Sequence, residues 1–377
     1  MKFIVSRDVL YKNLNAISGV LGSNSTMAIL DNFLFTVKGN TLTLTASDLD
    51  STMTAVIELT NVEGECCVAV PSKIMLETLK LVGENPIVFV INEENNEVKY
   101  TIANGEYEAP CFPGNEYPQI PVMQKAESFE MEPAVLQRAI SKTLFATGND
   151  ELRPNMMGVF CELNSDCITF VATDAHKLVR YRNTKNTSEN PASFILSKKP
   201  LAHLKTVLSG VDTPVKVEYS ADTNHIQFSF GNLQLYSSLK EGKYPNYENV
   251  IPKENPNTLV VNREEFLRSI KRVGNYSNQS TFQVRVSLSE EGTNITAEDI
   301  DFSNKAEESI AGLYSGEKMD IGFNSKFLRE ILENIESNEI QMDMSQPNRA
   351  ALIYPADQKE ADEENLLMLI MPVMLNN

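Results

Sequence analysis

Residue types suited to catalysis are present in this chain, but their spacing does not assemble a catalytic site. Asp48-Leu49-Asp50 and Asp299-Ile300-Asp301 each set two carboxylates one residue apart, the start of a divalent-metal site such as a nuclease uses. Both pairs end an alternating apolar stretch, where aspartate commonly makes a turn, and Asp174-Ala175-His176 breaks the pattern. The three histidines, His176, His203 and His225, have no metal-ligand spacing. Ser72-Lys73, Ser197-Lys198 and Ser325-Lys326 set a hydroxyl beside an amine, but adjacency is not a Ser-x-x-Lys dyad, and a serine nucleophile needs its base within hydrogen-bond reach. No GxSxG, Walker A or GxGxxG motif occurs in a strand-turn-helix context. The residues therefore predict no catalytic group, no metal and no cofactor.

The elements around these residues are more informative, because they recur. Phe3-Ile4-Val5, Phe129-Glu130-Met131 and Leu259-Val260-Val261 each read as a short strand followed by apolar residues at helical spacing. The apolar anchors of those helices, Leu10, Leu136 and Phe266, lie 126 and 130 residues apart. Ala46-Ser47-Asp48, Ala172-Thr173-Asp174 and Ala297-Glu298-Asp299 each close an alternating strand. Lys73, Lys198 and Lys326 fall 63, 62 and 60 residues after those anchors, each behind a serine that the pattern predicts as a helix N-cap. Alternating strands follow at Ile87-Phe89-Ile91, Val215-Val217-Tyr219 and Ile340-Met342-Met344. Tyr117-Pro118, Tyr244-Pro245 and Met371-Pro372 close the copies, with Pro-rich connections at 118–121 and 252–256. Ordered markers at matched spacing predict three similar α+β domains, each with two helices and antiparallel sheets, over 1–124, 125–254 and 255–377. The length of 377 residues agrees, since single cores stop growing near roughly 250–300.

Neither a secretory leader nor a membrane span is expected. Arg7 and Asp8 interrupt the N-terminal apolar run, and Leu366 to Leu375 is about half the ~20 residues that a spanning helix needs. Cys66, Cys67, Cys111, Cys161 and Cys167 form no CxxC pair and read as reduced thiols of a cytoplasmic protein. Asn24-Ser25-Thr26 fits a glycosylation sequon that carries no meaning without secretion.

The net charge of −18 taken alone argues against nucleic acid. Its distribution argues the other way. The six predicted helices, 7–20, 72–83, 133–146, 197–210, 263–276 and 325–337, together carry +8, so the remainder carries −26. Basic helices in an acidic chain suit DNA held against one surface and repelled by the rest. Lysine that merely solvates a helix face is the ordinary reading of any one residue; the collective contrast favours DNA.

These residues carry a resemblance. Val171-Ala172-Thr173-Asp174-Ala175-His176-Lys177-Leu178, the Tyr244-Pro245-Asn246-Tyr247 turn and the terminal Met371-Pro372-Val373, with the triple repeat, resemble the β subunit of bacterial DNA polymerase III, the sliding clamp, along essentially the whole chain. The resemblance implies a non-enzymatic processivity factor, a head-to-tail homodimer closed into a ring around duplex DNA. It implies sequence-independent DNA binding, with the polymerase III catalytic subunit, a clamp loader and other clamp-binding-motif proteins as partners. It implies a peptide-binding pocket at Arg153, Met156, Thr173, His176, Leu178, Pro245, Val250, Leu369, Met371, Pro372 and Val373. DNA-facing residues would be Lys73, Arg138, Lys142, Lys198, Lys199 and Lys326, and Tyr107 and Tyr276 would sit at the dimer joint. The chain departs from the family at Ala175, Lys177 and Met374, where glycine, arginine and arginine are common, and in its terminal Asn376-Asn377. Asn24 stands where a DNA-facing loop arginine is common. A metal-dependent nuclease built on the aspartate pairs, and a repeat scaffold that never meets DNA, are the competing readings.

Overall fold

A computed structural model describes residues 1–22, 27–120, 123–359 and 361–375. Asn24, Pro121, Asn376 and Asn377 lie outside the described residues, and with them the sequon, the loop contact and the chain end discussed above.

Among the described residues six α-helices appear at the predicted places: α1 Arg7–Ser18, α2 Ser72–Leu81, α3 Pro133–Thr143, α4 Lys198–Val207, α5 Arg263–Gly274 and α6 Ser325–Glu333. Apolar residues at i, i+4 and i+7 put Leu10, Leu14 and Ile17 on one face of α1, all fully buried. The helices end two to four residues earlier than their apolar periodicity suggests. Their last N–H groups turn to i−3 carbonyls, Val20 to Ile17 and Tyr276 to Val273, which tightens the final turn out of the α form.

Two of the predicted serine caps, Ser72 and Ser325, are corrected, because each lies inside its helix. Pro71 precedes α2, and Ser72 inside it donates its Oγ to the Asp31 carbonyl at 2.6 Å. Ser197 directly precedes α4, and Asn324 is the cap of α6, accepting from the N–H groups of Lys326 and Phe327. Asn324 holds the extended position just before the helix, where its amide oxygen meets both first-turn donors.

One pairing scheme is written three times, all of it antiparallel. The strand entering the first helix of each repeat pairs with the strand leaving the second: Lys2–Ser6 with Pro86–Asn92, Glu127–Met131 with Val215–Ser220, Asn257–Asn262 with Glu339–Met344. The strand after the first helix pairs with the one feeding the second: Asn32–Lys38 with Cys66–Pro71, Gly158–Leu163 with Ala192–Ser197, Gln283–Ser289 with Met319–Asn324. The Asp-terminated strands then turn into Ser51–Glu58, Lys177–Asn183 and Asn304–Ile310. Three α+β repeats with two helices each are therefore present. Among the described residues no helix is long and apolar enough to cross a membrane.

The sheets do not stop at the repeat boundaries. Ser51–Glu58 of the first repeat pairs with Leu233–Lys240 of the second. Lys177–Asn183 of the second pairs with Glu364–Ile370 of the third. The chain accordingly forms two compact units, Met1–Gln137 with Lys199–Leu239 and Arg138–Lys198 with Lys240–Asn377. The third equivalent strand, Asn304–Ile310, ends its four-stranded sheet, and Gly105–Pro110 ends the five-stranded sheet of the first repeat.

Candidate functional site

In the second unit, strand pairing brings residues nearly two hundred positions apart into one place. Leu178 faces Thr173 in one neighbour and Leu369 in the other. Leu178 and Leu369, each 2% exposed, pack with Val171, Ile195, Tyr244 and Leu352 into one apolar cluster. Phe160 lies flat against Tyr244, ring centroids 4.8 Å and planes 8° apart. Burial pushes the Tyr244 phenol above its ordinary pKa, so it stays a neutral part of this apolar floor.

Around the floor stand exposed groups from several loops. His176 is exposed, and its carbonyl accepts from Met371 N–H at 2.8 Å, tying the last strand to the turn. Met371 is 42% exposed and Val250 53%; Ile251, next to Val250, packs on the floor. The 3-10 turn Pro154–Met156 is moored by Asn155 Nδ2 to the Lys243 carbonyl at 2.8 Å, beside Tyr244-Pro245. Arg153 turns to Asp150 at 2.9 Å, and that hydrogen bond holds the Asp150 carboxyl below its usual range. The structure thus gathers Met156, Thr173, His176, Leu178, Pro245, Val250, Leu369 and Met371, with Arg153 at the margin and Pro372 following. Val373 instead donates its N–H to the Gly322 carbonyl at 2.9 Å. A side chain on Gly322 would come 2.6 Å from the Val373 carbonyl, so this close pass requires glycine. The arrangement is a buried apolar floor with the exposed His176, Val250 and Met371 around it, a surface suited to an extended peptide with apolar anchors.

Sequence reasoning missed Phe327. Its ring stacks on His176, centroids 5.3 Å and planes 18° apart. Its only sequence signal is an aromatic residue in the first turn of α6, indistinguishable there from a core position.

The basic residues divide. Lys73 and Lys326 are exposed, with the Lys326 ammonium 3.3 Å from the centroid of the Phe282 ring. Lys198 is bonded to Asn149 Oδ1 at 3.0 Å, and Lys199 to the Val20 carbonyl and Asp48. Arg138 pairs with Glu336 at 2.9 Å and Glu364 at 2.6 Å. Lys142 departs from the expectation of a DNA-facing residue. It is 4% exposed, and its ammonium meets the Asn334 carbonyl at 2.9 Å and Glu336 at 2.8 Å. An inward lysine held by a carboxylate cannot present its charge to a phosphate.

That pair makes stability depend on pH. The Lys142 hydrogen bond, with the charges of Lys142 and Arg138, holds the Glu336 carboxyl below its ordinary pKa. The unfolded chain therefore binds this proton first. The stabilisation is present above the ordinary glutamate range and is lost as pH falls through the depressed value. Glu336→Gln is expected to lower stability at neutral pH and to flatten the acid limb of a thermal-unfolding profile. The loss should be about 1–2 kcal/mol, below the ~3–5 of a fully buried pair, because solvent screens a side chain that is 66% exposed. A profile that Glu336→Gln leaves superimposable would refute this.

The aspartates of the Asp-x-Asp pairs make turns. Asp48 Oδ1 accepts from Ser51 N–H and Oγ–H at 2.8 and 3.0 Å, and Asp299 Oδ1 accepts from Asp301 N–H at 3.1 Å. The two tyrosines lie beside the unpaired sheet edges: Tyr107 is on Gly105–Pro110, stacked on Tyr100 at 5.2 Å, and Tyr276 follows α5, 47% exposed.

Comparison with known proteins decides among the readings. Residues 1–121, 130–246 and 248–373 match the family models of the N-terminal, central and C-terminal domains of the DNA polymerase III beta subunit. The chain belongs to the DNA polymerase III beta subunit family. It is 26% identical to the beta sliding clamps of Vibrio cholerae and Escherichia coli, over the full length of both chains in each comparison. A sliding clamp from Pseudomonas aeruginosa, solved bound to griselimycin, superposes with a TM-score of 0.93 at 25% identity, covering 100% of both chains. Membership makes the chain a sliding-clamp subunit of DNA polymerase III and not an enzyme, and the nuclease reading is set aside.

Proposed function

We propose that two copies of this chain close head to tail into a ring that holds duplex DNA by topology, and that the pocket on the second unit tethers the polymerase to it. The observation that carries this reading is the missing third joint. The fourth strand of the first repeat pairs with the last strand of the second, and that of the second with the last strand of the third. Among the described residues the fourth strand of the third repeat, Asn304–Ile310, lacks such a partner, and Gly105–Pro110 of the first repeat is an open edge. Equivalent pairing between two copies satisfies both edges and closes the assembly, a heterologous interface that ends in a ring. Tyr107 and Tyr276 belong to that joint.

The domains of this reading run 1–124, 125–254 and 255–377. Lys73, Lys198 and Lys326 meet backbone phosphates, with Arg138 and Lys199 lending charge from within their ion pairs. Contacts of this kind are weak and blind to sequence, so the ring slides. An extended peptide of the polymerase III catalytic subunit, of the clamp loader or of other clamp-binding proteins seats on Met156, Thr173, His176, Leu178, Pro245, Val250, Leu369, Met371 and Pro372, with Arg153 and Val373 at its ends. Tethering keeps the polymerase at high effective concentration beside the primer end. A separate loader opens the ring. The setting is the cytoplasm, where five free cysteines, four of them buried, persist unpaired.

The test is retention on nicked circular DNA after loader-assisted assembly, before and after linearisation. Stable residence on circles and rapid loss from linear ends is the expected result. Equal retention on both would remove topological tethering and favour the scaffold reading.

A further inference from the structure

The turn that carries His176 is strained and tied down by an interior charge. Ala175 sits at φ 74°, in the left-handed region that disfavours L side chains. Thr173 Oγ1 accepts from Ala175 N–H at 3.1 Å and donates to the Lys177 carbonyl at 2.7 Å. Asp174 Oδ1 accepts from the N–H groups of His176 and Lys177 at 2.9 and 2.8 Å. The Lys177 side chain then folds back into the protein, with the residue 4% exposed. Its ammonium lies 2.5 Å from Asp174 Oδ2, 3.0 Å from Glu330 Oε2 of α6 and 4.7 Å from the centroid of the Phe327 ring. Phe327, one helical turn from Glu330, is the ring on which His176 stacks.

We propose that Lys177 is a positioning residue of the peptide site: its ammonium fastens the strained turn to α6 and so fixes where the His176 ring and carbonyl stand. This rests on the pocket reading above. Strained backbone persists only where its surroundings over-determine it, and here one cation joins both sides. Without it, the carboxylates of Asp174 and Glu330 lose the charge between them and repel. The turn then leaves α6, His176 leaves Phe327, and the His176 carbonyl moves from Met371 N–H, so two walls of the seat shift together. The ammonium is already occupied by Asp174 and Glu330, so it acts through His176 and Met371 and touches no ligand.

The probe is a fluorescein-labelled synthetic pentapeptide with leucine and phenylalanine anchors, read by anisotropy on the full-length protein. Lys177→Met is expected to weaken binding at least tenfold. Lys177→Arg, which can span both carboxylates, should stay within threefold of the parent. The His176 Cε1–H resonance, displaced by the Phe327 ring current in the parent and in Lys177→Arg, should move to a solvent-exposed position in Lys177→Met. Glu330→Gln keeps the lysine but removes one anchor. It should give an intermediate loss, and it decides the matter if Lys177→Met does not fold. Binding within twofold of the parent in both Lys177→Met and Glu330→Gln overturns the proposal, as does equal loss in Lys177→Met and Lys177→Arg. If the parent itself fails to bind the peptide, the pocket reading falls, and the histidine resonance still reports whether Lys177 orders the turn.

Discussion

Replacing Tyr276 by aspartate is expected to turn the proposed dimer into monomers and to abolish retention on circular DNA. Tyr276 follows the last turn of α5 and is 47% exposed; Ile300 and Phe302, in the turn that leads to the open edge Asn304–Ile310, are 82% and 73% exposed. Asn278 Nδ2, 3.5 Å from Asp301 Oδ2, draws the segment after α5 to that turn. Three large apolar groups beside an unpaired strand are a surface that a second copy can cover, and burying each contributes about 1.5–3 kcal/mol. A carboxylate among them must be desolvated without a partner. The dimer dissociation constant should rise at least about a hundredfold, or ~2.7 kcal/mol. Sedimentation velocity across a dilution series measures this, and Tyr107→Asp on the opposite edge should behave alike. A Tyr276→Asp protein that stays dimeric at nanomolar concentration would place the joint elsewhere.

The parts of this molecule that were legible in the sequence are those set by local periodicity. Leu10, Leu136 and Phe266 announce their helices because an apolar stripe at helical spacing has one way to bury itself, and all three are essentially inaccessible. The strands at Ile87, Val215 and Ile340 are read from alternation for the same reason. Ser72 and Ser325 were misread as caps because capping depends on which residue takes the last extended φ and ψ, a matter of one position, and Pro71 and Asn324 took it. Lys142 was misread because a helix lysine is exposed by default, and the Glu336 that turns it inward comes from another repeat 194 residues away. The proposed pocket was named only through resemblance. Its floor depends on the register that sets Leu178 opposite Leu369, and no local pattern encodes which distant strand becomes a neighbour. Spacing alone also suggested three self-contained modules. It is silent on the pairing across repeat boundaries that gathers the chain into two compact units.

Met371→Asp is expected to abolish binding of the labelled pentapeptide while leaving the ring on circular DNA. Met371 is anchored through its backbone to His176 and leaves its side chain 42% exposed beside the floor of Leu178 and Leu369. A flexible thioether at the mouth of an apolar seat adapts to whatever anchor enters, and a carboxylate there would have to be desolvated by every apolar anchor. Affinity should fall by about thirty- to a hundredfold, ~2–2.7 kcal/mol. Because the side chain is half in solvent, its replacement opens no cavity, and the unfolding midpoint should hardly move. Retention on circles is the control, since the proposed closure uses the strands at Gly105–Pro110 and Asn304–Ile310 and not the C-terminal segment. The competing view is that Leu369 and Met371 only finish the last strand. On that view Met371→Asp binds the peptide within threefold of the parent. Strand completion and ligand capture make opposite demands on this residue, because a strand end needs only its backbone, whereas a peptide seat needs its side chain.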